Sequence, residues 1–249
     1  MYDFLPGLGA ADVRQLLPYL PAGLVLSDDA DGPARAYGEF KRMLLVQQLH
    51  PGQKVPLDEI AANLSMSRTP VREAMRRLEI EGFVSAIPNR GFLVRHIDAA
   101  EMGHLFEARQ CIEVFTAGVA AKEHGDDFVE ELAELQHTYA RMLNGSADKR
   151  RLGMLADKAF HLRIARQAGN PFLIDLLSNL FDRLVFTRPL RGFPMERMQE
   201  AIAEHEAILV AIRERSAARA RQQMLRNIEA GSKAIIEHLK TLELFKVAV

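Results

Sequence analysis

The chain has 249 residues, 48% hydrophobic and 26% charged, enough apolar material for one large core or two smaller ones. No apolar run reaches the about 20 residues that a membrane-spanning helix needs. The first residues lack the basic-then-apolar pattern of a secretory signal, and the single cysteine, Cys111, has no internal disulfide partner, so a reducing cytoplasm is the expected setting. A net charge of −1 excludes a uniformly basic nucleic-acid binder, so any nucleic-acid contact has to be local.

Residues 1–33 read as an N-terminal extension punctuated by Pro6, Pro18, Pro21 and Pro33 and by Gly7, Gly9, Gly23 and Gly32. A short helix over 11–17 and a loose strap both fit it. From residue 34, Ala36, Phe40, Met43, Leu44 and Leu49 fall near helical spacing, and the pattern stops at His50-Pro51-Gly52. A second helix is predicted over 57–64, with Ile60, Ala61 and Leu64 on one face. Ser65-Met66-Ser67 forms a turn. A third helix is predicted over 68–80, with Ser67 or Thr69 available as cap and Pro70 in the first turn. Val71, Met75 and Leu78 form its inward stripe, and Gly82 stops it. Two β-prone runs, 83–87 and 92–95, flank Pro88-Asn89-Arg90-Gly91 and predict a hairpin. Three helices and a hairpin over 34–97 make the outline of a winged helix-turn-helix.

Residues 98–241 read as helical throughout, in segments 99–124, 126–144, 148–168, 171–188, 194–214 and 216–241. Gly125, Asn144-Gly145, Gly169-Asn170-Pro171, residues 189–194 and Ser216 mark the breaks. Short connections predict an antiparallel bundle of six to seven helices. The fold class is therefore mainly α, with residues 242–249 as a tail.

In the third helix, Arg68, Arg72 and Arg76 are four apart and share a face opposite the apolar stripe. With Arg77 they make four arginines against one acid, Glu73, in 68–77. Charge alone favours a solvated basic face. The order helix, helix, turn, arginine-led helix, hairpin points to DNA. Arginine donates two hydrogen bonds to guanine O6 and N7, and Arg90 at the hairpin tip suits a minor groove or a phosphate. In the bundle, Asp157 and His161 are i and i+4, and His205 lies in a later helix. One acid and two imidazoles suit a divalent metal, although the same spacing is a common helix-surface pair. Arg109 and Glu113 are also i and i+4. They read as an intrahelical ion pair, or with Arg109 turned inward to clamp a carboxylate. Cys111 and the Phe172/Leu173/Leu176/Leu177/Leu180 stripe read as ordinary core packing.

The segment from Pro51-Gly52 to Leu64, the block Ser67-Arg68-Thr69-Pro70-Val71-Arg72-Glu73-Ala74-Met75, the run Leu78-Glu79-Ile80-Glu81-Gly82-Phe83-Val84 and Asn89-Arg90-Gly91-Phe92-Leu93-Val94 together resemble the winged helix of the GntR family. The helical remainder, 98–241, resembles the FCD ligand domain of the FadR subfamily, so the resemblance covers about residues 34–241. It implies that Arg68 and Arg72 meet bases or phosphates, Thr69 a phosphate, and the Asn89-Arg90-Gly91 wing tip the adjacent groove. Some relatives carry an arginine early in the second helix. Asp58 stands there in this chain and cannot serve a phosphate, so a smaller contact set is expected. The resemblance also implies a metal (Zn, Ni or Mn) held by Asp157, His161 and His205, with Asn227 at the place of a fourth ligand, where a neutral amide oxygen binds more weakly than imidazole. His238 lies three turns beyond that place. The implied function is a homodimeric transcriptional regulator and not an enzyme: a repressor released from a palindromic double-stranded operator by a small carboxylate that Arg109 helps to hold. Two other readings are a metal-dependent hydrolase at Asp157/His161/His205 and a winged helix used for protein contacts.

Overall fold

The computed structural model describes residues 10–21, 24, 30–46, 48–187 and 194–247. The expectations for residues 1–9 and for the break at 189–193 lie outside them. The chain forms two compact units. One comprises 20–97 with 182–188, the other 1–19, 98–181 and 189–249.

The smaller unit holds α2 (Gly32–Leu45), α3 (Leu57–Asn63), α4 (Arg68–Ile80), β1 (Val84–Ile87) and β2 (Gly91–Val94). α2 begins where the Asp31 side chain accepts the Ala34 N–H at 2.9 Å, with Pro33 in the first turn. Ser67 takes the N-cap position of α4, but its hydroxyl makes no cap bond. The inward stripe of α4 is as the spacing predicts: Val71, Met75 and Leu78 are fully buried, as are Phe40 of α2 and Ile60 of α3. The strands pair antiparallel, from Val84 opposite Val94 to Ile87 opposite Gly91. The turn between them needs positive φ at Asn89 (59°) and Gly91 (101°), a backbone region that glycine and asparagine enter at least cost.

One charge is sealed inside this unit. Lys41, 1% exposed, reaches Asp182 at 3.4 Å and Glu81 at 3.5 Å. The Tyr37, Phe83 and Phe186 rings surround its ammonium at 4.4, 4.9 and 5.7 Å from their centroids. Carboxylates and ring faces together replace the water that the ammonium loses.

The larger unit is a bundle of α5 (Ala99–Ala120), α6 (Asp126–Leu143), α7 (Ala147–Gln167), the first part of α8 (Pro171–Thr187, whose residues from 182 belong to the smaller unit), α9 (Met195–Arg213) and α10 (Ala217–Val247). α5 packs on α10 and α7, α7 on α6, and α9 on both α6 and α10. Before it in the chain, α1 (Ala10–Leu16) and a 3₁₀ turn (Leu17–Tyr19) dock on α7. Leu16 is fully buried, the Thr138 hydroxyl donates to Gln15 at 2.6 Å, and Arg141 pairs with Asp12. Arg166 donates to the Pro18 carbonyl at 2.6 Å and lies over the Tyr19 ring. Residues 10–19 of the extension thus form a short helix and a 3₁₀ turn packed on α7, the helical of the two expectations.

Three further expectations need correction. α10 runs on to Val247, where a tail was expected from 242. Cys111 is exposed, not core. Phe172 and Leu176 are 79% and 56% exposed, because the apolar stripe of α8 is wider than the bundle covers.

Removing the Lys41 charge leaves two carboxylates facing aromatic rings. Lys41→Met is expected to cost about 3 kcal/mol of stability, read from urea unfolding, and adding Asp182→Leu should recover part of it.

Candidate nucleic-acid interface and candidate metal centre

The recognition helix and the wing share one open groove of about 810 Å³, whose lining includes Lys54, Asp58, Arg68, Arg72, Arg76, Asn89, Arg90 and Gly91. Arg68, Thr69, Arg72 and Arg76 are exposed on the face of α4 opposite its buried stripe, and Asn89 and Arg90 are exposed at the hairpin turn. The Glu79 carboxylate accepts the Ala86 N–H at 2.9 Å, which fastens the first strand of the wing to the helix. Arg77, the fourth arginine, is held elsewhere: it pairs with Glu81 at 3.0 Å and lies over the Tyr37 ring at 4.1 Å. Arg68 is not alone either. Its Nη2 donates to Asp58 Oδ2 at 2.8 Å, and its Nε lies 2.5 Å from Asp58 Oδ1 in the same ion pair.

In the bundle, α7 contributes Asp157 and His161 and α9 contributes His205. One ligand atom from each lies within 4.8 Å of the others. Both imidazoles are buried and their tautomers follow from their neighbours. Gln136 donates to the Ile202 carbonyl at 2.7 Å, which turns its oxygen toward His205 Nδ1 at 2.9 Å. Nδ1 therefore carries the proton, and the Nε2 lone pair faces Asp157 Oδ1 at 3.4 Å. His161 Nδ1 lies 2.5 Å from Glu113 Oε2, and its Nε2 faces Asp157 at 4.0 Å. Among the described residues, His205 Nε2, His161 Nδ1 and Glu113 Oε2 are buried without an aligned hydrogen-bond partner. Two bare imidazole lone pairs and a carboxylate turned toward one another repel without a cation, and this donor set fits a divalent metal. Glu113 and Gln136 are the groups that orient such ligands. Phe160 stacks on the His205 ring at 4.3 Å and fixes its plane.

Arg109 is buried. Its Nε donates to Glu113 at 2.6 Å, and its guanidinium lies over the Phe181 ring at 4.1 Å. The ion pair expected from spacing is thus present and belongs to the layer behind His161. Asn227 is buried and donates to Glu204 at 2.7 Å, and Glu204 is in turn gripped by Arg197.

Sequence comparison agrees with both halves. The gntR family of bacterial regulatory proteins matches residues 34–94, and the FCD domain matches residues 104–230. The chain belongs to the GntR family. It is 25% identical over 205 residues to the uncharacterized HTH-type transcriptional regulator YdhC of Bacillus subtilis, covering 82% of this chain and 89% of that one. It is 22% identical over 199 residues to the HTH-type transcriptional repressor GlaR of Escherichia coli, covering 77% and 90%. In fold it is similar to McbR/YncC of E. coli, with a TM-score of 0.71 at 19% identity over 86% of this chain and 99% of that one. This GntR-family chain is a DNA-binding transcriptional regulator, not an enzyme. No helix among the described residues is long and apolar enough to cross a membrane.

Spacing could not pair Glu113 with His161, since they lie on different helices of the FCD domain. Gln136 did leave a signal, a polar residue at an inward position of α6 between Leu135 and Tyr139. Burial pushes the His205 imidazole down to about 3, against the opposing pull of Asp157. Burial would raise the Glu113 carboxyl, but Arg109 and His161 together outweigh it and hold it at about 2. A histidine depressed on folding takes up protons only in the unfolded chain between about 6.5 and 3, so acid favours unfolding across that window. In metal-free protein, lowering the pH from 7 to 5 is expected to remove about 1–2 kcal/mol through His205, measured by urea unfolding. His205→Gln should flatten that loss, while the Glu113 contribution, lost only below about 4.5, should remain.

Proposed function

We propose that this GntR-family regulator represses by binding a palindromic operator as a homodimer, and that a small carboxylate held in the FCD domain at Asp157, His161 and His205, with a divalent metal, releases it. The observation that carries the DNA half is the groove in which Arg68, Arg72, Arg76 and the Asn89-Arg90-Gly91 tip lie together. A helix leading with guanidinium groups fits the major groove, Thr69 stands at its start for a phosphate, and the wing takes the neighbouring groove. For the ligand half, the support is the trio of acceptors turned inward around Asp157. A metal bound there polarises a carboxylate oxygen and anchors it. His161 and His205 present Nε2, Glu113 and Gln136 keep the rings turned, and Arg109 adds positive charge behind them. Zinc, nickel and manganese all suit two imidazoles and a carboxylate, and Asn227 stands where a fourth protein ligand belongs.

The homodimer is supported by apolar surface that the single chain leaves open: Phe115 on α5, and Phe172 and Leu176 on α8. Release requires that effector bind one arrangement of the dimer better than another. α8 is suited to feel the difference. Phe181 lies against the Arg109 guanidinium and the His161 ring, and the next residue, Asp182, pairs with Lys41.

Arg68→Ala/Arg72→Ala is expected to abolish operator binding in a gel shift at physiological salt, while circular dichroism and sedimentation stay unchanged. Retained affinity sinks the DNA assignment and favours a winged helix used for protein contacts. Purified chain should carry about one divalent metal by elemental analysis, and Asp157→Asn should lower that content severalfold. Phe172→Glu/Leu176→Glu should give a folded monomer in sedimentation with weakened operator binding.

A further inference from the structure

Asp58 lies in the first turn of α3, ten residues before Arg68 opens α4. Sequence reading treats it as a lost phosphate contact. Its actual partner is the leading arginine of the recognition helix. The carboxylate takes Arg68 side-on, through Nε at 2.5 Å and Nη2 at 2.8 Å, and both side chains line the groove shared with the wing.

A guanidinium carries five N–H donors in one plane. The side-on grip engages the Nε side of the plane, with Nη2 donating to Oδ2 and Nε beside Oδ1. The end-on edge, with one hydrogen each from Nη1 and Nη2, is directed away from the carboxylate. That edge has the spacing of guanine O6 and N7. We propose that Asp58 is a positioning residue that makes Arg68 a fixed reader of one guanine rather than a roaming phosphate ligand, and so sets the regulator's sequence specificity.

The inference rests on the DNA-reading surface proposed above. Two physical effects carry it. Holding the guanidinium in a plane removes rotamer freedom before DNA arrives, so less is lost on forming the base contact. The carboxylate also cancels the arginine's charge and repels phosphates, which penalises sequence-independent binding more than reading of the right base. The pair is exposed in the free protein, at 73% and 68% for the two side chains, so it contributes little to folding. Its effect belongs to the bound state.

The test is selection from a random duplex library with the full-length chain, Asp58→Ala, Asp58→Asn and Arg68→Ala, followed by titration of the selected duplex and a scrambled one between about 50 and 200 mM salt. The wild type should select a G·C pair that Arg68→Ala no longer selects. Asp58→Ala should lose discrimination at that same pair by about tenfold, with other positions unchanged. It should also bind the scrambled duplex more tightly, with a salt slope steeper by about one. Asp58→Asn, which keeps one acceptor and loses the charge, should fall between. Full discrimination by Asp58→Ala at the Arg68-dependent pair overturns the proposal while leaving the DNA-reading surface standing. Equal loss of affinity for both duplexes also overturns it, since that marks a structural role. A wild type that selects no duplex overturns the surface and this inference together.

Discussion

Glu113 is wholly buried, yet it stays ionised because a guanidinium and an imidazole hold it from two sides. Much of the FCD domain's chemistry depends on that arrangement. A neutral Glu113 would leave the Arg109 guanidinium buried without a counter-charge and would remove the negative charge that lies beside His161 Nδ1. Arg109 therefore acts on the donor trio through two intermediaries. Gln136 does for His205 what Glu113 does for His161, with a neutral amide in place of a carboxylate. The two imidazoles differ accordingly: one is backed by a negative charge and the other by a dipole.

Periodicity within one helix made part of this legible. Asp157 and His161, or Arg109 and Glu113, lie four residues apart, and a helix places such pairs on one face without outside help. The same rule located Arg68, Arg72 and Arg76 opposite Val71, Met75 and Leu78. Pairings between helices were beyond it. Lys41 meets Asp182 across 141 residues, and no local pattern marks a lysine that will be sealed among rings. Asp58 and Arg68 are only ten residues apart, but the turn between their helices decides whether they meet, and that turn places Ser65 at a φ of 52°. The α8 stripe failed in the opposite way. Its spacing is that of a core helix, and spacing does not distinguish a face covered by the same chain from one left open.

The near-neutral net charge of the chain fits a regulator whose arginines are individually managed. Arg77 is tied to Glu81 and Tyr37, Arg166 to the docked extension, Arg109 to Glu113, and Arg197 to Glu204. Of the four arginines on the recognition helix, one is turned away and one is gripped by a carboxylate inside the groove itself. Arg72 and Arg76 are exposed on the same groove. A chain that wanted only tight binding would leave all four open.

α8 gathers three roles that conflict unless they are separated along its length. Its first half carries Phe172 and Leu176 outward, its middle turns Phe181 onto the Arg109 guanidinium and the His161 ring, and from Asp182 onward it supplies partners to Lys41 and Phe83. α8 is continuous over its 17 residues, so each role is taken by residues that share one unbroken helix. The buried charge at its far end sharpens the response. A hydrophobic contact weakens gradually as it slides, whereas an ammonium enclosed by rings and carboxylates has few acceptable positions, and leaving one without reaching another exposes an unpaired charge. Lys41 thus favours discrete positions for the last turns of α8 within the smaller unit over a continuum.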